Sequence, residues 1–259
     1  MLGYKKYLPS SQHTPYQLYD ALTLKASAKS ADAVVVSSKL EYEDAVEFGI
    51  QKTKLHVIPM GVDVDEYVDN PINPNGDAIN ILFVGRIARV RRIEILLQAV
   101  TKLSIPFHVT LVGGEEKTSS LSRSGYLDEL KKLCKDLNIN DRVTFVGPVA
   151  QNELFNWYSK GDIFVYPSLY ENFGQPILEA AAAGLPIVSA PVGVAQEIIT
   201  DNETGFLFNG DDQELANRIT RLTDQNLRKK IGGAVRERVR DLYGWEGIIK
   251  QYLDLYRSL

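Results

Sequence analysis

Short apolar runs alternate with helical patterns along almost the whole chain, and that alternation restricts the fold more than any other feature. Runs such as Ile79-Asn-Ile-Leu-Phe-Val84 and Ile163-Phe-Val-Tyr166 are each followed by a stretch of helical period. Repeated in this way, the pattern implies βα units and an α/β fold with a mainly parallel sheet. Strands are expected over 33–37, 55–58, 79–84, 107–112, 142–145, 163–166, 187–189 and 205–208. Helices are expected over 39–48, 92–103, 126–137, 152–159, 175–183, 212–223, 226–241 and 245–257. The apolar stripe of the last helix (Ile248, Ile249, Tyr252, Leu253, Tyr256) reads as core. One segment, Asp69-Asn-Pro-Ile-Asn-Pro-Asn-Gly-Asp77, has no period and reads as an interdomain linker.

Composition excludes more than it identifies. A chain of 259 residues, 44% of them hydrophobic, has ample core for one large or two small domains. A net charge of -4 argues against a general nucleic-acid binder. The single cysteine, Cys134, allows no intramolecular disulfide and has no zinc-ligand companions, which suits a reducing, cytoplasmic setting. No apolar run approaches the ~20 residues of a membrane span, and the N-terminus has no signal-peptide core. Lys5 and Lys6 beside Tyr4 and Tyr7 allow at most peripheral contact with a membrane face.

The chemistry concentrates in Ser168-Leu-Tyr-Glu-Asn-Phe-Gly-Gln-Pro-Ile-Leu-Glu179, which runs into Ala-Ala-Ala-Ala-Gly-Leu-Pro186. Gly174 lets backbone approach a ligand closely, and the free N–H groups of the following helix's first turn favour an anion. Glu171 falls in the loop before that helix, and Glu179 about a turn inside it, placed to reach hydroxyls. A diphosphate flanked by two polyols, as in a nucleotide-sugar, suits such a site. Taken alone, the stretch is also accounted for by a strand, a turn and a buried helix carrying two surface glutamates.

Further blocks follow in a recognisable order: Val84-Gly-Arg86, Leu111-Val-Gly-Gly114, Val143-Thr-Phe-Val-Gly147, Asp162-Ile-Phe-Val-Tyr-Pro-Ser168, Gly184-Leu-Pro-Ile-Val188, Thr204-Gly-Phe-Leu-Phe208 and a closing helix from Trp245. With the Glu-x7-Glu pair, this order resembles the retaining GT-B glycosyltransferases, specifically glycosyltransferase family 4, from about Ala31 to the C-terminus. The resemblance implies two Rossmann-like domains with the donor site on the second. Residues 71–240 would form that donor-binding domain, and 1–70 only the end of the acceptor-side domain. Residues 241–259 would be a helix crossing back to the first part. A doubly wound domain usually takes ~100–150 residues, so roughly a hundred are expected to be absent from the first. A separate chain or a second copy could supply them, making a homo-oligomer or a partner chain an expectation.

By the same resemblance, Arg86 and Arg91 hold the leaving diphosphate, Glu171 contacts the transferred sugar, and Glu179 takes the ribose hydroxyls. Gly85, Gly113 and Gly147 end strands beside the donor, with Gly147 next to the nucleobase; a plain strand-to-loop turn accounts equally for Gly113. The backbone of Asn172, Phe173, Gly174, Gln175, Pro176 and Ile177 would surround the sugar and distal phosphate. Arg91 stands where the family usually has lysine, Arg92 where it usually has glycine, and Gly193-Val194 where it often has Gly-Gly. Arg89 and Arg92 read as a solvated helix start. His56 and His108 fall inside strands and read as structural; His13, in a polar loop, is a candidate for the histidine the family places beside the sugar.

The expected activity is metal-independent hexose transfer from a nucleotide-diphospho-sugar with retention and no cofactor, to an unknown sugar, lipid or protein acceptor. The alternative is a donor-binding module inactive without a partner chain. An epimerase is disfavoured by the block order, and a glycosidic phosphorylase by the lack of a pyridoxal-lysine context. Asp63-Val-Asp65 has the form of a cation-binding pair but follows Ile58-Pro-Met-Gly61, which resembles the family's interdomain segment. No dinucleotide-binding glycine fingerprint follows a strand, and there is no P-loop.

Overall fold

The structure, a computed structural model, describes residues 23–67, 78–115 and 125–259. His13, the Lys5-Lys6 pair and the segment 69–77 lie outside the described residues. Near the N-terminus, α1 (Lys25–Ser30) precedes a two-stranded parallel sheet, β1 (Val34–Val36) and β2 (Leu55–Val57), linked by α2 (Lys39–Glu47). Among the described residues its buried apolar core is Val36, Ile50 and Leu55, with Tyr42, Val46 and Phe48 packed partly buried against it. Polar links tie it to the rest of the molecule. Ser38 Oγ donates to the Asn172 carbonyl at 2.6 Å, Tyr170 Oη to Asp44 Oδ2 at 3.1 Å, and the Lys39 N–H to Glu197 Oε1 at 3.1 Å.

Among the described residues the second sheet has six strands: β3 (Ile79–Val84), β4 (Phe107–Val112), β5 (Val143–Gly147), β6 (Ile163–Tyr166), β7 (Ile187–Ser189) and β8 (Phe206–Leu207). They lie in the order β5-β4-β3-β6-β7-β8, all pairings parallel. Between β3 and β6 the winding reverses, and the carboxyl ends of strands at such a switch point are where open α/β sheets bind ligands. Covered on both faces, the two central strands need continuous β-branched and aromatic sequence. Ile81, Phe83, Ile163, Phe164, Val165 and Tyr166 are accordingly fully buried. On β4, His108 Nε2 lies 2.9 Å from Thr144 Oγ1 of the neighbouring strand, a structural pairing as expected.

The connecting helices are α3 (Ile93–Val100), α4 (Tyr126–Asp136), α5 (Leu154–Tyr158), α6 (Gln175–Ala182), α7 (Ala195–Ile198), α8 (Asp212–Arg221), α9 (Gln225–Tyr243) and α10 (Trp245–Ser258). Aspartates set two of the starts: Asp211 accepts the Glu214 N–H before α8, and Asp224 those of Asn226 and Leu227 before α9. No helix among the described residues is long and apolar enough to cross a membrane.

Helix α10 packs Ile248 and Leu255 against Ile58, with Ala33 and Tyr252 alongside. This corrects part of the expected core stripe, because Ile249, Leu253 and Tyr256 are 53%, 48% and 69% exposed. Residues 248, 252 and 255 form one stripe at helical spacing; 249, 253 and 256 form the adjacent one, turned about 100° around the axis.

Arg92 needs correction too. It is no solvated residue: half-buried, it sits in the left-handed region at φ 49°, joining the turn Arg89–Arg91 to α3. Its Nε donates to the Pro167 carbonyl at 2.8 Å. A left-handed residue carries a Cβ penalty of about 1–2 kcal/mol, which glycine would avoid and which that tertiary bond offsets. Arg89 does remain at the surface, paired with Glu129 and lying over the Tyr126 ring at 5.2 Å.

Candidate active site

A cleft of about 320 Å³ opens at the carboxyl ends of β3 and β4, facing the start of α6. Its wall gathers Gly85, Arg86, Gly113, Gln175, Pro176 and Glu179 from segments far apart in sequence, together with Gln151 and Val149. Six of the residues expected from sequence therefore meet in one place. Gly147 lies at the same rim, where its carbonyl accepts the Gly113 N–H at 2.9 Å. Gly113 is there for a backbone reason. At φ +138°, a Cβ on it would stand 1.9 Å from the Gly85 carbonyl oxygen.

The start of α6 is built for close approach. Gly174 precedes the helix at φ +94°, and Pro176 occupies its first turn, a position where no N–H is needed. The N–H groups of Ile177 and Leu178 both turn back to the Gly174 carbonyl, at 2.9 and 3.3 Å. With those two N–H groups used, the donors left at this helix start belong to Phe173, Gly174 and Gln175, whose N–H groups bond to none of the described residues; of the three, Gln175 lines the cleft. Phe173 packs inward near Tyr243, while Asn172 turns towards α2 and accepts the Tyr170 hydroxyl with its side chain.

Glu179 is almost wholly buried, yet it lines the cleft. Tyr158 Oη donates to its Oε2 at 2.8 Å and Gln151 Nε2 to its Oε1 at 3.2 Å. Burial raises the pKa of its carboxyl above the ordinary range, and the hydrogen bonds from Tyr158, Gln151 and Gln175 only partly reverse that. An acid with a raised native pKa stabilises the fold fully below its unfolded pKa and loses that contribution as pH rises through the native pKa. Glu179→Gln is therefore expected to melt a few degrees above the wild type at neutral pH. Melting curves should show that advantage disappearing on acidification through the carboxylate range; a gain that persists in acid would contradict the assignment.

Glu171 and Arg91 form a second cluster, packed behind the cleft wall. Arg91 is 94% buried, since its exposure is only 6%. Its Nη1 lies 2.5 Å from Glu171 Oε2, 3.0 Å from Ser168 Oγ and 3.1 Å from the Tyr170 carbonyl. Tyr166 Oη donates to the same Glu171 oxygen at 2.7 Å. Two glycines join cluster and cleft: a Cβ at Gly174 would lie 3.2 Å from Glu171 Cγ, and one at Gly85 3.7 Å from Tyr166 Cε2.

Tyr158, Tyr166 and Gln151 escaped the sequence reading. A tyrosine in a fully buried strand or helix needs a partner for its hydroxyl, and that requirement was the available signal for the first two. Asp63 and Asp65 have other work. Asp63 accepts the Asp65 N–H, and Asp65 lies 3.3 Å from Arg240. Among the described residues no three His, Cys, Asp or Glu side chains gather as a metal site. A larger hollow, about 640 Å³, lies between residues 62–65 and 240–250. Asp63, Asp65, Asp241 and Glu246 line it against Arg240 and Lys250, and Arg240 is already paired with Asp65 and Glu237, so its net charge opposes a diphosphate.

Residues 65–238 match the family described as Glycosyl transferases group 1, and residues 3–66 match the one described as Glycosyltransferase Family 4. A D-inositol 3-phosphate glycosyltransferase of Xylanimonas cellulosilytica is 29% identical over 244 residues, which are 88% of this chain and 57% of that protein. Another bearing that name, from Thermomonospora curvata, is 31% identical over 94% of this chain and 61% of its own. The chain thus spans about 57–61% of the length of these relatives. Among solved structures, a sucrose-phosphate synthase from Thermosynechococcus elongatus superimposes with a TM-score of 0.83 at 32% identity, over all of this chain and 66% of that one. Anabaena HepE, solved in complex with UDP-glucose, reaches 0.83 over 98% of this chain and 70% of its own; at 23% identity it shows a shared fold. The parallel sheet is therefore of the GT-B kind, and the chain belongs to the group 1 glycosyltransferases.

Proposed function

We propose that this chain carries the donor site of a retaining, metal-independent transferase of glycosyltransferase family 4, which moves a hexose from a nucleotide-diphospho-sugar to an acceptor. The observation that carries the reading is the meeting of Arg86, the start of α6 at Gln175 and Pro176, and the Glu179 carboxylate in one cleft at the switch point. Breaking the sugar–diphosphate bond builds negative charge on the leaving group and oxocarbenium character on the sugar. Fixed donors aimed at that charge lower the barrier without rearranging during reaction. Arg86 and the start of α6 supply them, aided by Arg91, whose charge is shared with Glu171. Glu179 accepts from the ribose hydroxyls, Glu171 from a hydroxyl of the sugar, and Gly147 leaves room for the base. No side chain is assigned as a covalent nucleophile; substitution occurs on the face the leaving phosphate departs from, with that phosphate as base.

The HepE structures hold UDP or UDP-glucose, which supports a nucleotide-sugar as the ligand of the corresponding cleft here. The buried, unpaired Cys134 supports a cytoplasmic setting. The test is incubation of the protein with carbon-labelled UDP-glucose, GDP-mannose or ADP-glucose and cell-extract acceptors in excess chelator, with the product's anomeric configuration read by NMR. Transfer with the donor's configuration is expected. Dependence on added metal or an inverted product would refute the respective part of the reading, and nucleotide binding without transfer would reduce the chain to a donor-binding module.

A further inference from the structure

The Glu171 carboxylate is held by one of its two oxygens. Oε2 receives Tyr166 Oη at 2.7 Å and lies 2.5 Å from Arg91 Nη1, whereas Oε1 has no partner among the described residues. Both partners are immobilised from behind. The fully buried Tyr166 ring stacks on Phe83 at 5.6 Å and on Phe164 at 6.0 Å, nearly parallel to each. Arg91 lies over the same ring at 5.4 Å and is anchored by Ser168 Oγ and the Tyr170 carbonyl. A glutamate side chain free in a loop would sample several rotamers, and any ligand using it would bear the entropy of fixing one of them.

We infer that Tyr166 is a positioning residue for sugar recognition: with Arg91 it saturates Oε2 of Glu171 and so presents Oε1, already oriented, to a hydroxyl of the transferred sugar. This rests on the reading of Glu171 as the sugar contact given above. Tyr166 touches no part of the ligand and acts only through the carboxylate, so its effect is confined to the sugar. Nucleoside diphosphate binding, which involves Arg86, the α6 start and Glu179, does not depend on it.

Tyr166→Phe keeps the ring and its stacking and deletes only the hydroxyl. By calorimetry, UDP, ADP and GDP are compared with UDP-glucose, ADP-glucose and GDP-mannose, using the pair for which the wild type shows a sugar-dependent gain in affinity. The variant is expected to lose about 3- to 10-fold of that gain, the equivalent of leaving one long side chain unfixed, with nucleoside diphosphate affinity unchanged. In a Glu171→Ala background the same substitution should have no further effect on the gain, whereas a merely structural role would still move it. If Tyr166→Phe does not fold, Tyr166→Met, which also removes the hydroxyl from this buried position, takes its place in the cycle. An unchanged gain, a parallel loss for nucleotide and nucleotide-sugar, or additivity with Glu171→Ala overturns the inference. A wild type with no gain for any pair overturns it together with the role of Glu171, while nucleoside diphosphate binding would leave the cleft assignment standing.

Discussion

Arg86→Ala is expected to bind a nucleoside diphosphate roughly 10- to 150-fold more weakly than the wild type, the equivalent of ~1.5–3 kcal/mol for a charged hydrogen bond. Arg86 is exposed on the cleft wall just past the end of β3, so its loss should leave the melting temperature almost unchanged. Calorimetric titration with UDP in chelator reads the first quantity, and a thermal melt the second. A variant that binds as well as the wild type would remove Arg86 from the diphosphate site. If chelator abolished binding to the wild type itself, the case for metal-independent recognition would fall.

Gly113→Ala should be among the most damaging single-methyl changes in the molecule. The added carbon would stand 1.9 Å from the Gly85 carbonyl oxygen and 2.8 Å from its carbonyl carbon, and neither can move without parting the ends of β3 and β4. The strain of φ +138° comes on top, and the expected loss exceeds about 4 kcal/mol, in the range that signals a specific steric fault. Gly147→Ala separates the two causes, since φ there is +88° but nothing lies within 4 Å of the added carbon. It should cost only the strain of that backbone, about 1–2 kcal/mol. Urea denaturation of both variants checks this; equal losses would show that the contact at Gly113 relaxes and that only backbone conformation matters.

The same two glycines show how far the sequence could be read. Both stand at strand ends as expected, but whether Gly113 serves a ligand or the chain depends on a carbonyl 28 positions away, which no local pattern reveals. The strands Ile79–Val84, Phe107–Val112, Ile163–Tyr166 and Ile187–Ser189 were legible to the residue because mostly apolar runs of that length fit a covered parallel sheet. The short helices Lys25–Ser30 and Ala195–Ile198 were not, being too short to display a period. In the last helix the sequence offers two adjacent apolar stripes, and only the position of Ile58 decides that 248, 252 and 255 face inward.

At the site, residue identity was more legible than pairing. Glu179 was recognisable from its spacing, but the hydroxyl that orients it belongs to Tyr158, on a helix two elements earlier. The basic cluster was visible as four arginines between residues 86 and 92, with no sign of how differently the fold uses them. Arg86 lines the cleft, Arg89 pairs at the surface, Arg91 is buried against Glu171, and Arg92 bonds the carbonyl of Pro167. Such divisions of labour are tertiary, set by which strand end each side chain happens to face.

The central claim is that the cleft between the ends of β3 and β4 and the start of α6 is the nucleotide-sugar site. A crystal structure of the protein with UDP, grown in chelator, tests it most directly. The account predicts the diphosphate between Arg86 and the N–H groups of Phe173, Gly174 and Gln175, with the ribose hydroxyls within hydrogen-bonding distance of Glu179. A nucleotide seated in the acidic hollow between residues 62–65 and 240–250, or a diphosphate held away from Arg86, would contradict it.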